Sequence, residues 1–379
     1  MKFCAPCLFG VEGLVGEELR DLEFENVTVQ NGRVLFEGDV SLIPRANICS
    51  RFAERILIVA GQFKAHSFDE LFENVKKIKW SNLLPKNATF PVKGWSLNSA
   101  LHSIPDCQKI IKKAIVNSLS KDYGINWFEE NGESFPLRVF IHKDEVTVGL
   151  DTTGESLHKR GYRRLVGKAP ISETLAAALI MLTPWREDRI LVDPFCGSGT
   201  FPIEAAMIGA NIAPGVNREF TSNTWEKLID KKIWYEAYDE ARSLEKLDVD
   251  MHIQGYDLDS QMVKCAMQNA EEAGVGDYIH FQARAVKDLS SPKSYGFIIT
   301  NPPYGERLEE KERLLSALKA ATCDVILVTN ETGMGIVPDN ALSRRFRDEA
   351  GFVNQAVAAI ADNVVLMVCG LPMSVKGTL

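Results

Sequence analysis

Between Ile190 and Thr200 the chain reads Ile-Leu-Val-Asp-Pro-Phe-Cys-Gly-Ser-Gly-Thr, a β-prone run that ends in a glycine turn and opens a helix. No other stretch constrains the fold as much. A strand must hand over to a helix across a turn where Gly197 and Gly199 allow backbone conformations closed to other residues and let a ligand come close. From Ile171 onward the same alternation repeats. Apolar spacing predicts helices over 172–182, 201–209, 260–273, 310–321 and 340–350. It predicts strands over 189–193, 251–257, 279–283, 295–300 and 324–329, with apolar strands around 364–368. Strands alternating with helices mean an α/β domain built on a doubly wound, Rossmann-like parallel sheet.

The residues around the turn limit its ligand. A dinucleotide fingerprint needs a third glycine where Pro202 stands, and no Gly-Lys-Ser/Thr follows for a nucleoside triphosphate. Asp193 at the strand end repels a pyrophosphate and welcomes a cationic amino-acid moiety. Tyr256-Asp-Leu-Asp259 ends the next strand, where acids bind ribose hydroxyls in doubly wound folds. The gap to it exceeds the usual about 20 residues, because 211–250 inserts a segment carrying Trp225, Trp234, Tyr235 and Tyr238. Asp288, after the third strand, can accept from an adenine amine or be an ordinary surface aspartate.

Ile298-Ile-Thr-Asn-Pro-Pro-Tyr304 is a strand running into a loop that two prolines hold extended. The Asn301 side chain and the Pro302 carbonyl are acceptors that can point at one spot, Pro303 stiffens the loop, and Tyr304 offers a flat ring. Acceptors beside a stacking ring suit a planar exocyclic amine on a nucleobase. Asn-Pro-Pro alone reads equally as a proline-rich turn after a core strand.

The N-terminal half has another character. A helix over 13–22 and a hairpin over 27–36, turning at Asn31-Gly32, form a small α/β unit. A second unit, from about 47 to 153, holds a strand at 55–60 and helices over 68–78 and 106–119. Strands 137–142 and 145–150 close it as a hairpin through Lys143-Asp144. Net charge is −8, against a generally adhesive nucleic-acid binder. Between Ser41 and Lys121, however, thirteen basic residues face five acidic ones, leaving −16 for the remainder. A basic module in an acidic protein is the footprint of one phosphate-contacting surface. Its candidates are Lys109, Lys112 and Lys113 on the polar face of helix 106–119. Lys159, Arg160, Arg163 and Arg164 belong to a polar, basic bridge beginning at Gly154. The expected divisions are 1–46, 47–153, a linker over 154–170, and 171–379.

The eight cysteines are scattered, and Cys4-Ala-Pro-Cys7 has no second pair or histidines to complete a metal site. No apolar run of about 20 residues exists for a membrane span, and the acidic N-terminal stretch is no secretory signal. A cytoplasmic protein without metal or membrane partner is expected.

Together these motifs resemble the class I S-adenosylmethionine-dependent methyltransferases with an N-terminal THUMP domain, and within them the bacterial enzymes that methylate guanine N2 in large-subunit ribosomal RNA. The resemblance rests on Asp151-Thr-Thr-Gly-Glu-Ser-Leu-His-Lys-Arg-Gly-Tyr-Arg163, Ala169-Pro-Ile-Ser-Glu-Thr-Leu-Ala-Ala-Ala178 and Asp193–Ala206. Ala213-Pro-Gly-Val-Asn-Arg-Glu-Phe220, Trp225 and Asn301-Pro-Pro-Tyr-Gly-Glu-Arg307 extend it over nearly the whole chain. It implies a ferredoxin-like element ahead of an RNA-binding THUMP fold. It also implies S-adenosylmethionine held by Asp193, Pro194, Phe195, Cys196, Gly197, Ser198, Gly199 and Thr200, by Asp257, Leu258 and Asp259, and by Asp288 and Asn301. The family ordinarily closes on a basic run and Leu-Tyr-Asn-Gly, whereas 354–363 here is neither basic nor aromatic. Three other readings stay open: a transfer-RNA guanine-N2 methyltransferase, a DNA adenine methyltransferase using the same Asn-Pro-Pro-Tyr loop, and a non-catalytic RNA-binding ribosome assembly factor.

Overall fold

The computed structural model describes residues 1–125, 127–163, 170–290, 295–301, 308–320, 324–327, 329, 341–368 and 371–378. The chain forms two compact units, Met1–Leu157 with Arg218–Ser243, and His158–Asn217 with Leu244–Leu379.

In the first unit, β1 (Lys2–Pro6), α1 (Glu12–Asp21), β2 (Glu25–Gln30), β3 (Arg33–Glu37) and α2 (Ile43–Cys49) are followed by β4 (Leu57–Lys64), α3 (Phe68–Lys77), β5 (Val92–Leu97), α4 (Ile104–Tyr123), β6 (Leu137–His142) and β7 (Glu145–Asp151). The seven strands make one sheet in the order β2-β3-β1-β4-β7-β6-β5, with only β5 and β6 parallel. Local chemistry sets the boundaries. Ser67 caps α3 by accepting from the Glu70 N–H, and acids in its first turn with lysines in its last complement the helix dipole. Gly124, left-handed at φ 67°, ends α4. The β6–β7 turn puts two non-glycine residues, Lys143 and Asp144, at positive φ, as a tight hairpin of this kind demands. Asp144 is tied down from outside: its carboxylate accepts from the Ala100 N–H at 2.7 Å and its carbonyl from the Ala65 N–H at 3.0 Å.

The second unit begins with α5 (Glu173–Met181), β8 (Leu191–Asp193) and α6 (Thr200–Gly209). The chain next supplies α7 (Lys231–Ser243) to the first unit. It resumes with β9 (Ile253–Asp257), α8 (Ser260–Glu272), β10 (Ile279–Ala283), β11 (Phe297–Thr300), α9 (Leu308–Ala320), β12 (Asp324–Leu327), α10 (Ala341–Ile360), β13 (Val364–Val368) and β14 (Leu371–Lys376). Strands β10-β9-β8-β11-β12 form a five-stranded sheet whose neighbours are all parallel. The order reverses between β8 and β11, the switch point where open α/β sheets bind ligands at their carboxyl ends. β13 and β14 pair antiparallel as a separate two-stranded sheet. The non-basic stretch 354–363 lies mostly within the last turns of α10.

The inserted segment explains its own aromatic content. Trp225 is fully buried in the first unit, stacked on Phe135 with ring centroids 4.6 Å apart, and its indole N–H donates to the Ser134 carbonyl at 2.8 Å. Lys227 donates to the Ser81 and Leu84 carbonyls, and α7 packs on α2, where Arg45 pairs with Glu240. Trp225→Ala removes a large buried ring and leaves the Ser134 carbonyl short of a donor. It is expected to destabilise the first unit by about 3–5 kcal/mol in denaturant unfolding. A loss below about 0.5 kcal/mol would show that the stack carries no weight.

Candidate active site

The carboxyl ends of β8, β9 and β11 carry the candidate residues. Asp193 closes β8, is 2% exposed, and accepts through Oδ1 from the Thr300 hydroxyl at 2.6 Å and from the Phe195 N–H at 3.1 Å. Thr300 is the last residue of β11, so this bond ties the strand feeding the glycine turn to the strand feeding Asn301 across the switch point. Burial pushes the Asp193 carboxyl up to about 7, against the lowering pull of its two hydrogen bonds.

Beyond Asp193 the loop is held by backbone bonds. The Cys196 N–H donates to the Tyr256 carbonyl at 2.8 Å, and the Gly197 N–H to Asp257 Oδ2 at 3.1 Å. Gly197 (φ 51°) and Gly199 (φ 86°) lie in the left-handed region, and a Cβ on Gly197 would point into open space. Asn269 of α8 donates to the Ser198 carbonyl at 3.1 Å. Pro202 sits in the first turn of α6, where no N–H partner is needed. A Cβ on Gly255 would lie 3.3 Å from the Pro202 ring and 2.5 Å from Phe281, so the close helix–sheet approach uses a glycine on the strand. Burial raises the Cys196 thiol well above its ordinary range. Asp259 caps α8 by accepting from the Gln261 N–H at 2.8 Å, and Leu258 between the two acids is exposed. Asp288 is exposed in a short helical turn after β10, and Asn301 is half-buried directly after β11. Pro194 and Phe195 form the first part of the turn, and Thr200 begins α6. Pro302, Pro303, Tyr304 and Arg164 lie outside the described residues.

These features fit an S-adenosylmethionine. Asp193 is a buried carboxylate with no cationic partner among the described residues, and its Oδ2 has no hydrogen-bond donor there. The buried Ser198 hydroxyl is likewise unpartnered among the described residues. A cationic amino-acid group meets the first need, and the space beside Gly197 admits backbone approach by a ligand.

The structure redirects several cations expected to meet RNA. Arg160 is 2% exposed and its guanidinium faces the buried Glu204 carboxylate at 3.4–3.5 Å, joined there by the Tyr162 hydroxyl at 3.1 Å. That burial leaves Arg160 no face for a phosphate. Arg163 donates to Thr200 Oγ1 at 2.7 Å and to the Ile171 carbonyl at 3.2 Å, and pairs with Glu173 at 3.2 Å, so it braces the start of α6. Burial raises the Glu173 carboxyl and the Tyr162 phenol. On α4, Lys112 is paired with Glu130 at 2.9 Å and lies over the Phe90 ring, and Lys109 reaches Asp106 at 3.5 Å. Lys113 and Lys159 are exposed. Thr300, Asn269, Glu173 and Glu204 escape sequence reasoning, because nothing in their local spacing separates them from ordinary core-flanking polar residues.

Cys4 and Cys7 lie in and just after β1, and burial pushes both thiols up to about 12. Among the described residues no group of three or more His, Cys, Asp or Glu could hold a metal ion, and no helix is long and apolar enough to cross a membrane.

Three family models match the chain: the RlmL ferredoxin-like domain over residues 2–57, the THUMP domain over 65–151, and the RMKL-like methyltransferase domain over 160–342. YpsC of Bacillus subtilis, described as a candidate RNA methyltransferase, is 50% identical over 310 residues, covering 81% of this chain and 80% of that protein. A crystal structure from Listeria monocytogenes, of a protein described by prediction as an N6-adenine-specific DNA methylase, is 48% identical with a TM-score of 0.82, covering 87% of this chain and 89% of that one. SMU.472, a candidate methyltransferase crystallised with SAH, is 39% identical with a TM-score of 0.81, covering 91% of each chain. With this half-identical relative matched over four-fifths of its length, and with the three domain models in this order, the chain belongs to the THUMP-domain-containing, S-adenosylmethionine-dependent RNA methyltransferase family.

Proposed function

We propose that this protein transfers a methyl group from S-adenosylmethionine to the exocyclic N2 amine of a guanine in large-subunit ribosomal RNA. The observation that carries the reading is the Asp193–Thr300 bond, which holds the glycine turn next to Asn301 at the switch point. The bound cofactor supplies an electrophilic methyl on a sulfonium. Asp193 receives its ammonium group, Asp257 and Asp259 the ribose hydroxyls, and Asp288 the adenine amine. Asn301 Oδ1 and the Pro302 carbonyl accept hydrogen bonds from the target amine, orienting a lone pair otherwise delocalised into the ring, and the proton displaced by methylation is lost to solvent after transfer. Pro303 limits the loop's freedom and Tyr304 stacks on the base, which must be unpaired or leave its helix. Most of the rate advantage comes from holding amine and methyl in line.

An RNA substrate is supported by the THUMP match and by the description of YpsC. The exposed Lys109, Lys113 and Lys159 are assigned to phosphate contact in this reading. The Listeria relative's description favours a second reading, DNA adenine methylation, since the same acceptors suit an adenine N6 amine. Incubation of the protein and radiolabelled S-adenosylmethionine with deproteinised ribosomal RNA, transfer RNA and duplex DNA separates the two. N2-methylguanosine in large-subunit RNA is the expected product. The same nucleoside in transfer RNA moves the substrate, N6-methyladenine in DNA overturns the reading, and no product despite cofactor binding favours an assembly role.

Asn301→Ala is expected to lower the transfer rate at least about 10²-fold, as loss of a preorganised hydrogen-bonding group does, while S-adenosylhomocysteine affinity changes little. Near-normal turnover would remove Asn301 from the chemistry.

Asp193 also gives the protein a pH signature. Its folded value of about 7 lies above the ordinary carboxylate value, so the protonated form favours the ligand-free fold. That contribution is full below about pH 4 and is lost as pH rises through about 7. A ligand ammonium needs the ionised form, so affinity for S-adenosylhomocysteine should climb between about pH 5.5 and about pH 7 and then level off. Calorimetric titration checks this. Equal affinity at both ends of that range, or an unaltered rise in Asp193→Asn, would disconnect the carboxylate from the ligand.

A further inference from the structure

The first unit carries a surface that neither the cofactor site nor the helix lysines explain. In the register of β5 and β6, Lys93 lies beside Arg138, Trp95 beside Phe140, and Leu97 beside His142. Alternate residues of a strand share a face. Val139 and Ile141, which look the other way, are buried, whereas Trp95 is 47% and Leu97 54% exposed. Trp95 and Phe140 sit with centroids 5.6 Å apart at 53°. Phe140 in turn packs on the buried Cys4–Leu35–Leu57 cluster, which anchors the exposed ring to the core.

We infer that this face is a docking platform for an unpaired stretch of the RNA substrate, with bases stacked on Trp95 and Phe140 and phosphates against Lys93 and the neighbouring arginines. The inference rests on the RNA-methyltransferase reading above. A lone exposed tryptophan would need no explanation. Here the ring lies in a cationic field. Arg55 and Arg138 converge on the one buried Asp151 carboxylate at 2.8 and 2.9 Å, leaving a net positive charge. Glu145 is opposed in register by Lys64 and His142. Exposed Lys93 has no ion-pair partner among the described residues. The set of Arg55, Lys64, Lys93 and Arg138 against Asp151 and Glu145 leaves two positive charges, which suits a polyanion better than an apolar protein partner. Duplex RNA hides its base faces, whereas unpaired RNA offers them to flat side chains. Aromatics on a sheet with cations at their flanks are therefore matched to a single strand.

The test uses the full-length protein, fluorescein-labelled oligouridylate and an RNA duplex of equal length. Trp95→Ala is expected to weaken oligouridylate binding about tenfold and duplex binding less than about twofold, with Trp95→Phe close to the parent. With ribosomal RNA as substrate, Trp95→Ala should raise KM and leave kcat unchanged, and Lys93→Ala should lower the salt slope by about 1. Because Trp95 lies at the surface, an unchanged thermal melt reports that the variant is folded. Unaltered single-strand affinity in Trp95→Ala overturns the platform, as does an equal loss on the duplex. If the parent protein still methylates RNA in that case, the proposed function stands and only the platform falls. Methylation of DNA alone would sink both.

Discussion

Where the strand order of the catalytic unit's sheet reverses, a side-chain hydrogen bond from the Thr300 hydroxyl to Asp193 reinforces the backbone pairing of β8 with β11. On one side of it the chain turns through Gly197 and Gly199 into α6, and on the other it runs directly to Asn301. Both participants are buried, so the bond is not diluted by competing water. It also fixes which carboxylate oxygen is spoken for. Oδ1 serves the scaffold, through Thr300 and the Phe195 N–H, while Oδ2 accepts from no donor among the described residues.

Around this bond lies a second layer of buried charge. Arg160 and Tyr162 meet Glu204 inside α6, while Arg163 spans Glu173 of α5 and Thr200 at the start of α6. Buried ion pairs gain little net stability, because desolvation offsets their attraction, but losing one partner strands the other. Their use here is geometric: the first residues of the catalytic unit are locked to the helix that opens from the glycine turn. The stretch read from sequence as a basic bridge is thereby a brace on the start of α6, beside the glycine turn.

What was legible in the sequence is what local physics determines. Asn31-Gly32, the amphipathic helix over 68–78, the glycine turn and the strand–helix alternation each announce themselves within a few residues, and the parallel sheet follows from that alternation. β5 did not announce itself, because Gly94 and Ser96 interrupt its alternation and it exists only by pairing with β6. Helix α2 is short and opens on a proline, and its partner α7 is nearly two hundred residues away. The cations misled for a related reason. Arg160 and Lys112 look like any surface base until the fold supplies Glu204 and Glu130, and sequence spacing holds no information about a partner so distant. Asp193 was legible as a carboxylate at a strand end, but its unusual proton affinity comes from burial that only the assembled sheet creates.

The route of the chain through Trp225 has a consequence for synthesis. The first unit contains residues up to Leu157 and then Arg218–Ser243, so the indole that stacks on Phe135 emerges from the ribosome only after α5, β8 and α6 have been made. Domains usually fold in order as they are translated. Here the earlier-made RNA-recognition module must wait, with the Phe135 site unfilled, for a segment encoded inside the domain that follows. The two modules therefore cannot be exchanged by cutting at a single point in the chain, and shuffling during evolution would have to carry the insertion with its host.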